Sequence, residues 1–410
     1  MTIPSPSVVL SYEDAATVVS GHAERVRLWL RPTEKVPLLS AAGRVLAEPV
    51  LADRDQPPFA RSTRDGFACR AAELRAGRLK VAGQLRAGQA WTGGEIRTGE
   101  AIEIMTGAVV PPGADCVVMI EHVSVSECWI SLAPARELVP GENVVNRGTE
   151  ARAGDVLVPV GRRIGATEVA AAAFSGNATL AVFSKPRVAI LATGDELVEV
   201  GDVPLQYQIR NSNSYSLATQ ATAAGADPRI FPIVPDDPVA TERAVGEALQ
   251  CDLLLMTGGV SMGKFDCVER ALLARGADFF FTGARIQPGK PVVFGKLRGP
   301  YFFGLPGNPV STIVTFLLFG APMLRALAGE SESGPHFGSA RLSHEVQVRP
   351  GLTRFLPARV ESDLRGARIR RIAWQGSGDL TAAAQANSFL VVPEASDRLA
   401  DGDIVSALML

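Results

Sequence analysis

Three loops rich in glycine and small polar residues follow apolar runs of the sequence, and their residue types could hold an anion. They read Thr-Gly-Asp-Glu at 193–196, Thr-Gly-Gly-Val-Ser at 257–261 and Pro-Gly-Asn-Pro at 306–309. Glycine lets backbone N–H groups approach an anion closely, and a helix after such a loop points the positive end of its dipole at the same place. Tight turns also need glycine, so one loop alone would mean little. Three such loops at one edge predict a site for a phosphorylated ligand.

Carboxylates are concentrated in the same parts of the sequence. Glu196 lies in the first loop, while Asp236 and Asp237 follow the second apolar run. Asp266 comes just after the Gly-Gly-Val-Ser loop. Carboxylates repel a phosphate unless a divalent cation lies between them, so the pattern predicts magnesium, with Lys290 as a point charge for an oxyanion. The alternatives are that Glu196 is simply solvated and that the aspartates cap a helix from residue 238, which is the favoured interpretation for Asp237.

The elements that must position these loops alternate between strand and helix. Short β-branched or aromatic runs indicate strands at 187–192, 229–234, 252–256 and 301–305, and helical segments lie between them near 214–224, 238–250 and 265–275. This alternation predicts parallel βαβ units in an open α/β sheet. Ligands of such sheets bind outside the carboxyl ends of the strands, which is where the loops fall.

The rest of the chain has a different pattern of predicted helices and strands. Ser11 and Asp14 predict the capped start of a helix that runs to about residue 30, and a second short helix is expected at 40–46. Short apolar runs between glycines and prolines predict a β-rich insert, and an alanine-rich helix at 167–174 is expected to pack on the first helices. We predict a discontinuous helical and mixed N-terminal domain (1–47 and 148–184), the β-rich insert (48–147), the α/β domain (185–328) and a small C-terminal β-domain (329–410).

The composition disfavours several classes of protein. Lys and Arg number 41 against 43 Asp and Glu, a formal charge of −2, so no overall field would attract nucleic acid or an acidic membrane. Five unpaired cysteines fit a reduced compartment, and the histidines show no zinc spacing. The N-terminus lacks a signal-peptide pattern. The apolar stretch at 299–324 is broken by Pro306 and Pro309, which leaves a buried helix at 310–319. We expect a cytoplasmic protein with no nucleic-acid or membrane partner.

Common enzyme motifs are also missing from the sequence. There is no P-loop and no G-x-G-x-x-G after the first predicted strand. Ordinary NTPases and Rossmann dehydrogenases are therefore disfavoured. The residues alone indicate a multidomain enzyme that binds a phosphorylated small molecule with magnesium, and they do not identify the substrate.

Several of these motifs, in this order, resemble the molybdopterin molybdenumtransferase family, which includes MoeA and the gephyrin E domain. In the α/β part the resemblance covers 193–197, 211–213, the 257–261 loop with Asp266, 288–291 and 304–311. Ser-Thr-Arg-Asp-Gly-Phe-Ala at 62–68 is similar to the family's S-x-M-D-G-Y-A segment, and Met-Thr-Gly-Ala at 105–108 to its M-T-G-A segment. Arg354 and Gln-Gly-Ser at 375–377 extend the resemblance to the terminal domain, so it covers nearly the whole chain.

The resemblance implies a fold, an assembly and a reaction. The subunit would have a MogA-like molybdopterin-binding α/β domain and a C-terminal β-barrel. It would form a homodimer with the cleft between the α/β domain of one subunit and the insert and terminal domain of the other. The implied reaction transfers molybdenum from molybdate to adenylylated molybdopterin and releases AMP with the help of magnesium. Transient contact with other proteins of molybdenum cofactor biosynthesis is a further implied partnership.

The resemblance also assigns residues to this reaction. The implied catalytic residues are Asp65, Glu196, Asp236, Asp266 and Lys290, and Glu196, Asp236 and Asp266 would hold the metal. Asp65 and Thr106 would reach in from the facing subunit. The implied substrate-binding residues are Thr106, Thr193, Gly194, Asp195, Asn211, Ser212, Gly258, Gly259, Ser261, Pro288, Gly289, Pro306, Gly307, Asn308, Arg354 and Ser377.

The sequence departs from the family pattern at four positions. Gln287 stands where K-P-G-K-P has its first lysine, which removes a positive charge from an anion site. In the R-x-x-G-E-D segment, Val145 replaces the arginine and Glu150 the aspartate, and Arg64 replaces the usual methionine before Asp65. Either Arg64 or Arg147 restores the lost charge, or the protein has a weaker affinity for anions or an altered metal preference.

Two other functions remain open at this point. The first is adenylylation of molybdopterin, since the α/β domain alone resembles the domain that performs it, although the extra β-domains argue against it. The second is a non-catalytic scaffold that binds molybdopterin, which the full set of acidic residues disfavours. Dependence of AMP release on molybdate would separate these functions.

Overall fold

The computed structural model of the chain describes residues 8–29, 31–258 and 266–410, without the side chain of Asp266. The predicted substrate residues Gly259 and Ser261 lie outside the described residues. Over the described ranges, a π-helical turn at Phe316–Gly320 joins α7 to α8, and 3₁₀ turns lie at Leu38–Ala41 and Ile120–His122. The α-helices are α1 (Tyr12–Arg27), α2 (Ala71–Ala76), α3 (Ala166–Phe174), α4 (Ser212–Ala223), α5 (Pro238–Ala248), α6 (Asp266–Ala274), α7 (Pro309–Thr315), α8 (Ala321–Leu327) and α9 (Leu380–Gln385).

The central sheet is the open α/β sheet that the sequence predicts. Its strands are β1 (Arg187–Ala192), β2 (Asp227–Ile230), β3 (Leu253–Thr257), β4 (Asp278–Phe281), β5 (Val293–Lys296) and β6 (Tyr301–Leu305), in the order β2-β1-β3-β6-β5-β4. The pairs β2–β1, β1–β3 and β3–β6 are parallel. Strands β5 and β4 add an antiparallel edge that the sequence analysis did not predict. The second strand is also shifted, since it ends at Ile230 instead of continuing to Val234.

The two faces of this sheet are covered by different helices. Val188 and Ile190 of β1 point into the core with α1, α4, α7 and α8. Ala189 and Leu191 alternate to the opposite face and pack with α5 and α6. Successive side chains of a strand point to opposite faces, so a strand buried on both faces is apolar throughout. This is why the first predicted strand, with its unbroken Val-Ala-Ile-Leu-Ala run, was found at the bounds that the structure shows.

The N-terminal helix α1 is capped as predicted and packs on the α/β core. The Ser11 hydroxyl accepts the N–H of Asp14 at 3.0 Å and donates to the Asp14 carboxylate at 2.7 Å. α1 packs against α8. In contrast, α3 lies in a separate core with the 3₁₀ turn Leu38–Ala41 and strand Val156–Val158. The 167–174 helix, expected to pack on the first helices, therefore packs at the start of the second predicted segment, 40–46, and not in the core of α1.

The short helix predicted at 40–46 is wrong as well. The 3₁₀ turn ends at Ala41, and Val45 and Leu46 form isolated β-bridges with Arg163 and Val182. Gly43 has a φ of 77°, a left-handed conformation that interrupts a right-handed helix. Two-stranded pairings complete this region, Thr33–Pro37 with Thr179–Phe183, Val50–Leu51 with Val156–Val158, and Arg61–Ser62 with Val144–Val145.

The two β-rich regions are built differently. The insert is an open sheet with α2 packed beside it, in the strand order Cys116–Met119, Gly66–Cys69, Glu100–Ile104, Leu79–Leu85, Trp129–Leu132 and Val123–Ser126. In the C-terminal region, strand Thr353–Asp363 pairs with Gly366–Arg371 and also with Ser388–Val392. These two pairings close a barrel, as predicted. The other barrel strands are Phe337–Leu342, Gly366–Arg371, Ser388–Val392 and Ile404–Met409.

Four further short strand pairs lie between or within these regions. Ile286–Gln287 runs parallel to Thr353 and Arg354 at the start of the long barrel strand, so the terminal domain is attached beside the predicted anion site. The other pairs are Val9–Leu10 with Gly283–Ala284, Leu197–Val198 with Ile209–Arg210, and Val346–Gln347 with Arg398–Leu399. The domain boundaries given above stay a prediction.

One helical run, Pro309–Leu327, is long and apolar enough to cross a membrane by length and composition alone, and 83% of its most apolar window is buried inside the structure. Val310, Val314 and Phe319 pack in the core beneath the central sheet. The buried helix predicted at 310–319 is therefore confirmed as a core element.

Candidate active site

A cavity of about 390 Å³ lies at the carboxyl ends of β1, β3 and β6. The three loops that the sequence singled out all contribute to its wall, as expected for the edge of a parallel sheet. The lining residues are Ala192, Thr193, Glu196, Leu197, Ile209, Arg210, Asn211, Ser212, Asn213, Thr257, Gly258, Pro291, Pro306, Gly307, Asn308 and Pro309. Eight of the predicted site residues, spread from Thr193 to Asn308, are thus brought together.

Hydrogen bonds tie these loops to one another. Asn213 donates from Nδ2 to the Thr257 hydroxyl at 2.9 Å and to the Gly307 carbonyl at 2.7 Å. Asn211 caps α4, because its Oδ1 accepts the N–H of Ser214 at 3.2 Å. Asn213 is a residue that the predicted set missed, although it lies in the Asn-Ser-Asn motif. Its role depends on contacts 94 residues away along the chain, which local sequence does not reveal.

Gly258 is required by the geometry of the second loop. Its φ is 89°, and a Cβ at this position would lie 2.3 Å from the carbonyl oxygen of Thr193. A side chain there would therefore collide with the backbone of the first loop. The glycine lets β1 and β3 end close together, and the cavity forms over this contact.

Three buried polar atoms in or next to the segments that line this cavity have no hydrogen-bond partner in the described structure. The Thr193 hydroxyl, the Asn211 Nδ2 and the Ser214 hydroxyl make no hydrogen bond, although Thr193 is 5% and Asn211 2% exposed. Buried polar groups in folded proteins are nearly always paired, so each such exception calls for an explanation. Thr193 and Asn211 line the cavity, so their unpartnered groups lie beside the space that a polar ligand would fill.

A second cavity of about 280 Å³ adjoins the first and shares Pro291, Pro306 and Asn308 with it. Pro288, Gly289, Lys290 and Ser377 of the predicted set lie on its wall, so the terminal domain contributes to the site within one chain. The other lining residues are Ile286, Gln287, Ser311, Leu352, Trp374 and Gly376.

Arg354 contacts a lining residue of this cavity but is not itself among the lining residues. It is 8% exposed, and its Nε donates to Gln287 Oε1 at 2.8 Å while Nη1 donates to the Leu352 carbonyl at 3.1 Å. Burial lowers the pKa of its guanidinium from the ordinary value. Arg354 therefore reaches the cavity through Gln287. On the opposite side, Asn308 Nδ2 donates to the Ser377 hydroxyl at 2.8 Å.

The predicted acidic residues are in four different situations. Glu196 is exposed and lines the larger cavity. Asp195 and Asp236 are exposed but do not appear on its described wall, and Asp195 Oδ1 accepts the backbone N–H of Asp236 at 3.1 Å. Asp237 caps α5 by accepting the N–H of Ala240 at 2.8 Å, as predicted. Asp266 begins α6, and its side chain lies outside the described residues.

No group of three His, Cys, Asp or Glu residues within 8–29, 31–258 and 266–410 could hold a metal ion. The predicted metal set of Glu196, Asp236 and Asp266 includes a side chain beyond those ranges, so it stays a prediction. Of the two described members, only Glu196 lines either of the two cavities described above.

The insert holds its predicted pair away from both cavities. Asp65 Oδ1 accepts the Thr106 N–H at 2.6 Å and the Thr106 hydroxyl at 2.8 Å. The Thr106 N–H, and next the hydroxyl, lower the pKa of the Asp65 carboxyl from its ordinary value. The pair is therefore a preformed, ionised group, and its approach to the α/β edge from a second subunit stays a prediction.

The departures from the family pattern are accommodated locally. Arg147 donates to Asp55 at 2.8 Å, and Glu150 accepts from Arg61 at 2.8 Å. Neither Arg147 nor Arg64 is among the residues described on the wall of the smaller cavity. The described contacts therefore do not indicate that either arginine replaces the positive charge that is missing at Gln287.

Comparison with known proteins identifies the family. Residues 10–176 match the family profile described as MoeA N-terminal region (domain I and II), 189–326 match the probable molybdopterin binding domain, and 339–410 match the MoeA C-terminal region (domain IV). The molybdopterin molybdenumtransferase of Staphylococcus aureus strain COL is 31% identical over 385 residues, 92% of this chain and 91% of that protein. The enzyme of the same name from Haemophilus influenzae is 32% identical over 380 residues, 91% of this chain and 93% of that protein.

A solved structure agrees over the whole length. The molybdopterin biosynthesis moeA protein from Pyrococcus horikoshii OT3 superposes with a TM-score of 0.79 at 28% identity and covers 98% of this chain and 100% of that chain. All of these comparisons cover the residues that line both cavities and the residues of the insert. The chain belongs to the molybdopterin molybdenumtransferase family.

Proposed function

We propose that this protein transfers molybdenum from molybdate to adenylylated molybdopterin and releases AMP. The observation that carries the proposal is the pair of adjoining cavities at the carboxyl edge of the sheet, in a chain of this family. The larger cavity offers unpartnered hydroxyl and amide groups, which suit a polar ring system. The smaller cavity offers Lys290 and further donors, which suit an oxyanion.

Each residue of the proposed site has a separate task. Thr193 and Asn211 would hydrogen-bond the organic part of the substrate, and the backbone at Gly258 would allow its close approach. Lys290 would offset the negative charge that develops on the phosphate as AMP leaves. The paired Asp65 and Thr106 would complete the site from the facing subunit of a homodimer. A cytoplasmic location and transient contact with other proteins of molybdenum cofactor biosynthesis belong to the same proposal.

Magnesium fits the described donors as an ion shared with the substrate. Glu196 offers one carboxylate at the wall of the larger cavity, and Mg²⁺ commonly combines one or two carboxylates with phosphate oxygens and water. When bound, the ion would stabilise negative charge at the phosphoanhydride. Asp236 and Asp266 are proposed as its further ligands.

The experiment that tests this function is AMP release from adenylylated molybdopterin in the presence of magnesium, with and without molybdate. Release that requires molybdate is the expected result. ATP consumption with molybdopterin as the substrate would instead support an adenylyltransferase. Tight binding of the adenylylated pterin with no release under either condition would support a non-catalytic scaffold.

A further inference from the structure

The outer face of the C-terminal barrel carries a cluster of arginines that the proposed active site does not use. The side chains are exposed, and their strands lie side by side in the barrel. We call them the arginine face, and they are Arg341, Arg359, Arg368 and Arg370. None of the four is among the residues described on the walls of the two cavities. Arg359 is five residues beyond Arg354 on one extended strand, about 17 Å away, so this face is separate from the proposed active site.

Strand pairing brings these arginines next to one another. Arg359 lies directly opposite Arg370 on the neighbouring antiparallel strand, and Arg368 is paired on its other side with Arg341. Buried Ile369 alternates with Arg368 and Arg370, so these two arginines project from the same side of the sheet. Like charges that face each other across a strand pair are destabilising. The arrangement therefore costs the fold stability, and a negatively charged partner would offset the repulsion.

The acidic residues beside the arginine face do not balance its charge. Glu361 pairs with Arg359 at 3.4 Å, and both side chains are largely exposed. Within the ranges that the structure describes, no carboxylate forms an ion pair with Arg341, Arg368 or Arg370. The whole chain has a formal charge of −2, so this positive charge is local. Three arginines of the face thus remain available to an acidic ligand.

Exposed apolar side chains border the same face. Ile404 is in register beside Arg341, and Leu364 is fully exposed at the turn between the strands that carry Arg359 and Arg368. Single exposed apolar residues are common on protein surfaces. Next to uncompensated arginines, however, they favour a ligand that has both acidic and apolar side chains. A phosphate polymer has negative charge but no such side chains, so a protein segment is the favoured partner.

We propose that the arginine face is a docking surface for an extended acidic segment of a partner protein, with carboxylates at alternate positions. Arg368 and Arg370 are two residues apart on one strand, about 6.6 Å, and alternate side chains of an extended peptide have nearly the same spacing. A segment with one residue between two acids can therefore pair with both arginines at once. Each guanidinium can bind a carboxylate through two parallel N–H groups. This inference goes beyond the proposed function and does not depend on molybdenum transfer.

The first experiment measures binding of a fluorescein-labelled peptide to the full-length protein by fluorescence anisotropy at low ionic strength. The peptide alternates glutamate with serine and ends in leucine. We expect Arg368→Gln combined with Arg370→Gln to weaken binding roughly 10-fold, the scale of a hydrogen bond to a charged group. The matched control is Arg349→Gln combined with Arg398→Gln, which removes the same charge from exposed positions of the domain outside these strands and should keep wild-type affinity. Equal affinity of the two double variants would overturn the proposal.

Two further ligands test the chemistry of the partner. A peptide with the same number of glutamates but two serines between them places successive carboxylates on opposite sides of an extended chain, and it should bind more weakly. Equal binding of the two peptides would overturn the alternate spacing. A single-stranded oligonucleotide that binds more tightly than the first peptide, through the same arginines, would assign the face to nucleic acid and overturn a protein partner.

Stability and oligomeric state separate docking from a structural role. Arg370→Gln removes the repulsion with Arg359, so the Tm should be unchanged or higher. A lower Tm would show that Arg370 serves the fold and would overturn the proposal. Light scattering of the Arg368→Gln, Arg370→Gln protein should give the wild-type oligomeric state, since a smaller assembly would assign the face to contact between copies of this chain. Molybdate-dependent AMP release is measured separately, so failure of peptide docking would leave the proposed function standing.

Discussion

The carboxyl edge of the central sheet and the β-rich insert both hold polar residues that are distant in sequence, but they use them differently. At the sheet edge, Asn213 joins the loops after β3 and β6, and Thr193 and Asn211 keep unpartnered polar atoms beside a cavity. In the insert, Asp65 and Thr106 satisfy each other through two hydrogen bonds and line neither cavity.

This difference separates two ways of building a site. A parallel sheet delivers its loops to one edge by topology, so the edge makes a cavity within one chain. The insert instead orients one carboxylate in advance, and that carboxylate needs another surface to act on. The α/β edge is therefore the half of the proposed site that one chain forms, and the proposed homodimer would bring the insert to it.

The largest expected effect tests the half that one chain forms. Glu196→Gln should reduce molybdate-dependent AMP release by roughly 100-fold, because it removes an ionised group at the cavity wall without changing its size. The matched control is Glu199→Gln, an exposed acid three residues away that is not on the described wall and should retain full activity. Equal activity of the two variants would remove Glu196 from the proposed machinery.

The next effect tests how the insert joins the edge. Asp65→Ala and Glu196→Ala should each be nearly inactive, yet a 1:1 mixture refolded or exchanged into mixed dimers should recover about a quarter of wild-type activity, because one cleft of each mixed dimer has both residues. The measurement is AMP release by the mixture against each variant alone. If the site were completed within one subunit, the mixture would show no recovery.

A smaller effect compares a glycine of each region. Gly107, beside Thr106, has a φ of 82° but its nearest neighbour to an added Cβ is 3.8 Å away. Gly107→Ala should therefore lower the free energy of unfolding by about 1–2 kcal/mol, the cost of the left-handed conformation. Gly258→Ala adds the collision with the Thr193 carbonyl and should cost more. Urea unfolding of both variants measures this difference, and equal losses would contradict the tight contact described at the sheet edge.

The smallest effect concerns the carboxyl of Asp65. Thr106→Val removes the hydroxyl donor and keeps the backbone N–H, so the pKa of Asp65 should rise part of the way to its ordinary value. Because the folded-state pKa is lowered, the pair contributes stability above the unfolded pKa and loses it as the pH falls through the folded pKa. The variant should therefore lose less stability in acid. Carboxyl NMR titration measures the shift, with Asp55 as an internal reference that the substitution does not touch. An unchanged Asp65 pKa would show that the hydroxyl bond does not form in solution.

Part of the fold was predictable because it depends on local patterns. Strands β1 and β6 have the bounds predicted, since strands buried on both faces are continuously apolar. The Ser11 and Asp237 caps were also predictable, because the donor and acceptor are three residues apart. The helix expected at 40–46 was wrong because a left-handed glycine outweighed the apolar residues around it.

Part of the site was predictable for the same reason. The glycine loops and Lys290 were found from residue types at the predicted sheet edge, and Thr193 and Pro306 line the larger cavity as that pattern implies. Asn211, which only the family resemblance implied, lines it as well. Arg354 was expected to contact an anion, yet the structure places Gln287 between it and the smaller cavity. The departure at Gln287 was visible as a missing charge, but its partner could not be seen, because the two residues are 67 positions apart.

The sequence by itself determined the strand and helix order of the α/β domain, the edge where its loops meet, the caps of α1 and α5 and the family of the chain. The structural features follow from hydrophobic periodicity, turn chemistry and the handedness of βαβ units, which act over a few residues to one supersecondary unit. The family follows from the resemblance of several motifs that occur in the same order. Only the tertiary structure decided that α1 packs on α8, that β4 and β5 form an antiparallel edge, and that Arg354 donates a hydrogen bond to Gln287. Those outcomes depend on side chains that meet only after the separate cores have packed, so no local pattern encodes them.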